Sequence, residues 1–154
     1  MKYIVDAYNV IGQLDDIQLN DPDKVNKFLG WIQRNIKAGM HITGVFDGQN
    51  ELVGFPMTEK RPGITIVHTS GQQSADDYIK GKISRLTDAS NTIVVTSDRD
   101  ILHHAKKHRV KTLTSPLFIQ LMHQTPPQKH SKKSPRITDQ HVDYWLNEFG
   151  EIND

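Results

Sequence analysis

Five short apolar runs, at residues 3–6, 41–46, 63–68, 92–96 and 110–113, lack the strict polar–apolar alternation of a half-exposed strand. Runs of this kind suit strands covered on both faces, as in a parallel sheet. Between them the apolar period changes to that of a helix. Residues 23–38 place Val25, Phe28, Leu29, Ile32 and Ile36 on one face, with Gly39 as a C-cap. Residues 74–86 do the same with Ala75, Tyr78, Ile79, Ile83 and Leu86, and residues 101–108 with Ile101, Leu102 and Ala105. The order β-α-β-β-α-β-α-β-α predicts an α/β sandwich: a central, mainly parallel sheet flanked by helices and joined by right-handed crossovers.

The 154 residues suit one domain, read here as residues 1–123. Residues 49–62 hold two prolines, a glycine and mixed charge, and read as a long loop. Residues 124–136, with Lys129, His130, Lys132, Lys133 and Arg136 among prolines, read as a flexible basic connector. In residues 137–154, Thr138 is placed to cap a last helix that packs back through Val142, Trp145, Leu146 and Phe149. Lysine and arginine number 19 against 18 acids, a net charge of +1, so polyanion binding must come from local patches. The absence of cysteine excludes disulfides, thiolate zinc sites and cysteine nucleophiles. An acid at position 6 interrupts any signal-peptide core, and no apolar run approaches the roughly 20 residues needed to span a bilayer. The expectation is a soluble, cytoplasmic protein with no membrane partner.

Aspartates recur where these elements end or begin: Asp6, Asp47, Asp76 with Asp77, and Asp98 with Asp100. In open α/β sheets ligands bind beyond the carboxyl ends of the strands, and all of these acids fall towards that edge. Each also has a local explanation. Asp6 with Asn9 suits a turn, Asp47-Gly48 is a favoured turn dipeptide, Ser74 with Asp77 resembles a capping box, and Asp98 or Asp100 suits the cap of the next helix. Together they imply something positive between them, because two like charges about 4 Å apart repel by roughly 4 kcal/mol at an effective dielectric near 20. A divalent cation reverses that sign.

The segments Val5-Asp6-Ala7-Tyr8-Asn9-Val10-Ile11-Gly12, Val45-Phe46-Asp47, Ser74-Ala75-Asp76-Asp77-Tyr78-Ile79 and Val95-Thr96-Ser97-Asp98-Arg99-Asp100 resemble, in this order, the NYN domains of the PIN-like nuclease superfamily, in particular the YacP-like branch of bacterial endoribonucleases. The resemblance implies a PIN-like three-layer sandwich and a metal-dependent ribonuclease, with RNA as partner and, for some members of the branch, the ribosome. It implies that Asp6, Asp76 and Asp98 ligate one or two Mg²⁺ or Mn²⁺ ions. Asp77 and Asp100 would ligate a second ion or orient its waters, Asp47 would ligate or support the site, and Asn9 would orient water or the scissile phosphate.

Hydrolysis of single-stranded RNA to 5′-phosphate and 3′-hydroxyl ends is the expected reaction. For phosphate contacts the candidates are Lys60 and Arg61 in the predicted loop, Lys80 and Arg85 on the helix after Asp76, Arg99 between two acids, and Lys132 and Lys133 in the connector. Tyr8 suits base stacking or core burial equally. His103, His104 and His108 have no third ligand in view and are assigned no chemistry. Three rivals are weighed against this reading. One is a non-catalytic RNA- or ribosome-binding module, which gains nothing from repelling phosphate. Another is a DNA nuclease of the flap-endonuclease type, which needs extra chain. The last is a receiver-like phosphoryl acceptor, which needs a lysine that Lys111 does not supply.

Overall fold

The computed structural model of the chain describes residues 1–50, 57–70 and 73–124. The connector and last helix expected from sequence, with Lys132 and Lys133, lie outside them. A six-stranded sheet is built from β1 (Lys2–Asp6), β2 (His41–Asn50), β3 (Met57–Arg61), β4 (Ile64–Ser70), β5 (Thr92–Val95) and β6 (Lys111–Leu113), in the order β3-β4-β2-β1-β5-β6. Every pair is parallel except β3 with β4. The helices are α1 (Ala7–Ile11), α2 (Lys24–Asn35), α3 (Ala75–Ser84), α4 (Arg99–Lys107) and α5 (Ser115–His123).

Both faces of the sheet are covered, as the unalternating apolar runs demand. Tyr3, Val5, Ile42, Phe46, Ile64, Ile66, Ile93 and Val95 turn to one face, where α1, α2 and α5 pack over them through Val10, Phe28, Trp31, Ile32 and Phe118. Ile4, Val45, Val67 and Val94 turn to the other and meet Ala75, Ile79 and Ile83 of α3 and Ile101 and Ala105 of α4. Aromatic rings tie the first layer together: Phe28 meets Trp31 at 5.7 Å between ring centroids, and Tyr3 meets Phe118 at 5.9 Å.

Three local readings change. The segment expected to be a loop at 49–62 carries the end of β2 and all of β3. That strand is an edge strand with every residue exposed, so Met-Thr-Glu-Lys-Arg shows no apolar pattern to reveal it. Pro62 and Gly63 make its turn into β4, with Gly63 at φ 74°, the backbone region a type II turn reserves for glycine. Second, α2 stops at Asn35 rather than running to 38. Ile36 is extended, and the Lys37 ammonium donates to the carbonyls of Leu121 and Met122 at 3.0 and 2.8 Å, closing the C-terminus of α5. Third, α1 and α5 are helices that the apolar period did not disclose, the first being little more than one turn. Among the described residues no helix is long and apolar enough to cross a membrane.

From β1 the chain moves outward to β2 and β4 on one side, and later to β5 and β6 on the other. The strand order therefore reverses between β1 and β5, and the connections leaving their carboxyl ends part to opposite sides. Such a reversal opens a crevice in α/β sheets. Asp6 ends β1 and Asp98 lies just beyond β5.

Candidate functional site

Asp6 is half-buried at the crevice, where the Thr96 hydroxyl donates to its Oδ2 at 3.0 Å. Burial pushes its carboxyl up to about 6, opposed by the Thr96 hydrogen bond and reinforced by the negative charges of Asp98 and Asp76. Asp76 in the first turn of α3 and Asp98 at the N-cap of α4 thus lie within electrostatic reach of the Asp6 carboxyl at the end of β1.

Thr96, which sequence reasoning passed over, joins them. It is fully buried, and its Oγ1 also accepts from the Asp98 amide at 3.1 Å, so one hydroxyl fixes both Asp6 and the turn that carries Asp98. Its signal in the sequence was a hydroxyl-bearing residue directly after the apolar run Ile93-Val94-Val95 and two before Asp98. Asp98 then caps α4, accepting from the Asp100 amide at 2.8 Å through Oδ1. Capping and membership of the acid group are both true of Asp98.

Asp76 sits in the first turn of α3. Its Oδ1 is buried without a hydrogen-bond partner, and its Oδ2 lies 3.2 Å from Lys80 Nζ. Lys80 also pairs with Asp100, bridging α3 to α4; the Asp100 hydrogen bond raises the lysine's pKa, and the same bond lowers that of Asp100. Lys80, expected to grip phosphate, is thus engaged by two acids of the group. Asp77 is exposed, and its amide donates to the Ser74 side chain at 3.0 Å in the anticipated cap. Asp47 Oδ1 accepts from the Ala75 amide at 3.0 Å, hooking the end of β2 to the start of α3 and so setting where Asp76 stands.

Asn9 knits the opposite wall. Its Oδ1 accepts from the Ser97 amide at 2.9 Å and the Ser115 hydroxyl at 2.5 Å, joining α1 to the β5–α4 turn and to α5. Tyr8 packs its ring edge-on against Phe46 at 5.4 Å, with Lys24 Nζ 5.3 Å from its centre. Of the expected phosphate contacts, Arg99 is exposed at the start of α4, Arg61 is paired with Glu59 at 2.8 Å, Arg85 ends α3, and Lys60 projects from β3. His104 meets Ser84 Oγ and the Lys80 carbonyl at 2.9 and 3.1 Å, a helix-to-helix tie.

Among the described residues no three His, Cys, Asp or Glu side chains form a ready-made cation-binding group. Carboxylate oxygens are the donors a hard cation takes, and Asp76 Oδ1 is buried without a hydrogen-bond donor while Oδ2 is balanced by Lys80.

No curated protein matches the chain. A crystal structure of a mutant Rae1 (YacP) from Bacillus subtilis is similar at a TM-score of 0.61 and 13% identity, over 93% of this chain and 79% of that one. A second crystal structure of Rae1 (YacP) from Bacillus subtilis is similar at a TM-score of 0.57 and 14% identity, over 98% and 82%. At these identities the likeness is one of fold: the same α/β architecture with a mainly parallel sheet. In sequence, the description of the YacP-like NYN domain matches residues 3–148. By that match, which spans nearly its whole length, the chain belongs to the YacP-like NYN domain family, whose fold is of the nuclease type.

Proposed function

We propose that the protein is a Mg²⁺- or Mn²⁺-dependent endoribonuclease that hydrolyses single-stranded RNA to 5′-phosphate and 3′-hydroxyl ends. The observation that carries this reading is that the Thr96 hydroxyl ties Asp6 to the Asp98 turn at the strand-order reversal while Lys80 ties Asp76 to Asp100 beside it. These three would hold the ion, with Asp77 and Asp100 beside them for a second. When bound, such ions neutralise the non-bridging phosphate oxygens and make water nucleophilic near neutral pH.

The chain's own residues then have distinct tasks. Thr96 holds the Asp6 oxygen and the Asp98 turn in register, so the acids are placed before substrate arrives. Asp47 and Asn9 position the elements that carry the acids. Arg99, at the open end of α4, is placed to meet a phosphate. Water adds to phosphorus as the bond to the 3′ oxygen breaks, leaving a hydroxyl on one fragment and a phosphate on the other.

One observation favours a second reading, a non-catalytic RNA-binding module: Lys80 already neutralises Asp76 and Asp100. Incubating the purified chain with labelled single-stranded RNA, in Mn²⁺ and in chelator, beside Asp76→Asn, separates the two. Cleavage that needs Mn²⁺ and disappears in the variant supports the enzyme; binding without cleavage in every arm supports the module. Parallel reactions with ribosomes test whether free RNA suffices.

A further inference from the structure

On the sheet face covered by α3 and α4, the helices leave a groove of about 570 Å³ beside α3, towards the amino ends of the strands and away from the acid crevice. Its floor is Ile4, Thr43, Thr65 and Val67, and one wall is formed by Tyr78, Lys82 and Leu86. Tyr78 and Lys82 are four apart and share one stripe of α3, and Leu86 follows just beyond its C-cap. Lys60 of β3 closes the far side and Lys2 of β1 the end. Among the described residues no carboxylate lines the groove, although Lys2 reaches Asp88 at 4.0 Å on the surface. Lys60 and Lys82 have no ion pair among the described residues.

Three ammonium groups around a slot with threonine hydroxyls, a histidine and two tyrosines make a surface that repels cations and suits a chain of phosphates. We infer that this groove binds the sugar-phosphate backbone of single-stranded RNA, as a holding tract for substrate whose scissile bond lies at the acid crevice. The inference rests on the ribonuclease reading for its substrate class. Helix α3 links the two places: Asp76 and Lys82 are separated by about 9 Å along its axis, at 1.5 Å per residue. Asp76 is on the flank of α3 beside α4 and Lys82 on the flank beside the groove, so a strand that reaches both crosses over the helix. Tyr78 offers a ring at the wall, and the lysines supply counterion release. The phosphate-gripping lysines are accordingly Lys2, Lys60 and Lys82, whereas Lys80, on the side of α3 that faces α4, serves the acids.

The test measures binding of the full chain to a fluorescent oligouridylate in chelator, where no cleavage occurs, over a series of salt concentrations. Combining Lys2→Ala, Lys60→Ala and Lys82→Ala is expected to weaken binding at least tenfold. It is also expected to reduce the slope of log K against log salt by about 2, at roughly 0.7 for each single-strand phosphate no longer neutralised. Lys106→Ala with Lys107→Ala, on α4, is expected to leave both nearly unchanged. RNA is further expected to protect Lys60 and Lys82 from acetylation in the wild-type chain. Equal affinity and slope in the triple variant and the wild type would overturn the inference. So would carbodiimide cross-links, persisting with RNA, from Lys60 or Lys82 to the acids of residues 137–154, since the chain's own end would then occupy the groove. This readout needs no catalysis. A protein that binds through these lysines yet never cleaves defeats the enzymatic reading alone.

Discussion

Burial pushes the Asp6 carboxyl up to about 6 in the folded chain, from an ordinary value of 3.8. Across that interval the folded state binds more protons than the unfolded state, so the metal-free protein loses stability as pH rises through it, and the full penalty is present above 6. A displacement of this size corresponds to about 3 kcal/mol, an upper bound for a group that still touches water. Asp6→Asn keeps an acceptor for the Thr96 hydroxyl and carries no charge. In chelator it is expected to melt several degrees higher than the wild type at neutral pH and to lose most of the pH slope; melts over the acid-to-neutral range check this. Thr96→Val keeps the shape of the side chain and removes both hydrogen bonds. A loss of about 1–3 kcal/mol is expected in chemical denaturation, with a larger fall in RNA cleavage than in RNA binding. That the acids fall towards one edge of the sheet was legible because the strand ends were, although each acid alone also suits a turn or a cap. Thr96 was not, because threonine is an ordinary strand residue and only its neighbours in space give its hydroxyl two partners.

Helix α3 is where capping and charge balance meet on one element. Ser74 satisfies its first turn, Asp47 accepts from its first amide, and Lys80 links its middle to α4. Ser74→Ala is expected to cost about 1 kcal/mol of stability, the usual loss for a helix N-cap, measured by urea denaturation. Lys80→Gln leaves Asp76 and Asp100 without their cation. If a divalent ion takes that place, Mn²⁺ is expected to raise the Tm of this variant by more than it raises that of the wild type; equal increments would mean that lysine and ion do not compete. The amphipathic patterns of α2, α3 and α4 could be read in advance because each buries one stripe on the sheet. By contrast, β3 is exposed along its length and held by backbone pairing to β4, which leaves no trace in side-chain pattern. The same holds for α1, too short to show a period.

At the level of the whole chain, α5 crosses back over the sheet and seals the first layer with Phe118, which is fully buried against Tyr3 and Trp31. Phe118→Ala is expected to lower stability by about 3–5 kcal/mol, read from denaturant midpoints, and to abolish cleavage through unfolding rather than through chemistry. Parallel pairing of β4, β2, β1, β5 and β6 requires every strand but β3 to wait for a crossover before its neighbour arrives. The hydrogen bond between Thr96 and Asp6 spans 90 positions of chain, so the pocket has no local precursor. A nascent polypeptide that has emerged as far as β4 carries Asp6 and Asp47 but nothing to complete them. The crevice is therefore assembled only when β5 docks beside β1, so a half-made molecule carries its acids without the pocket that sets them.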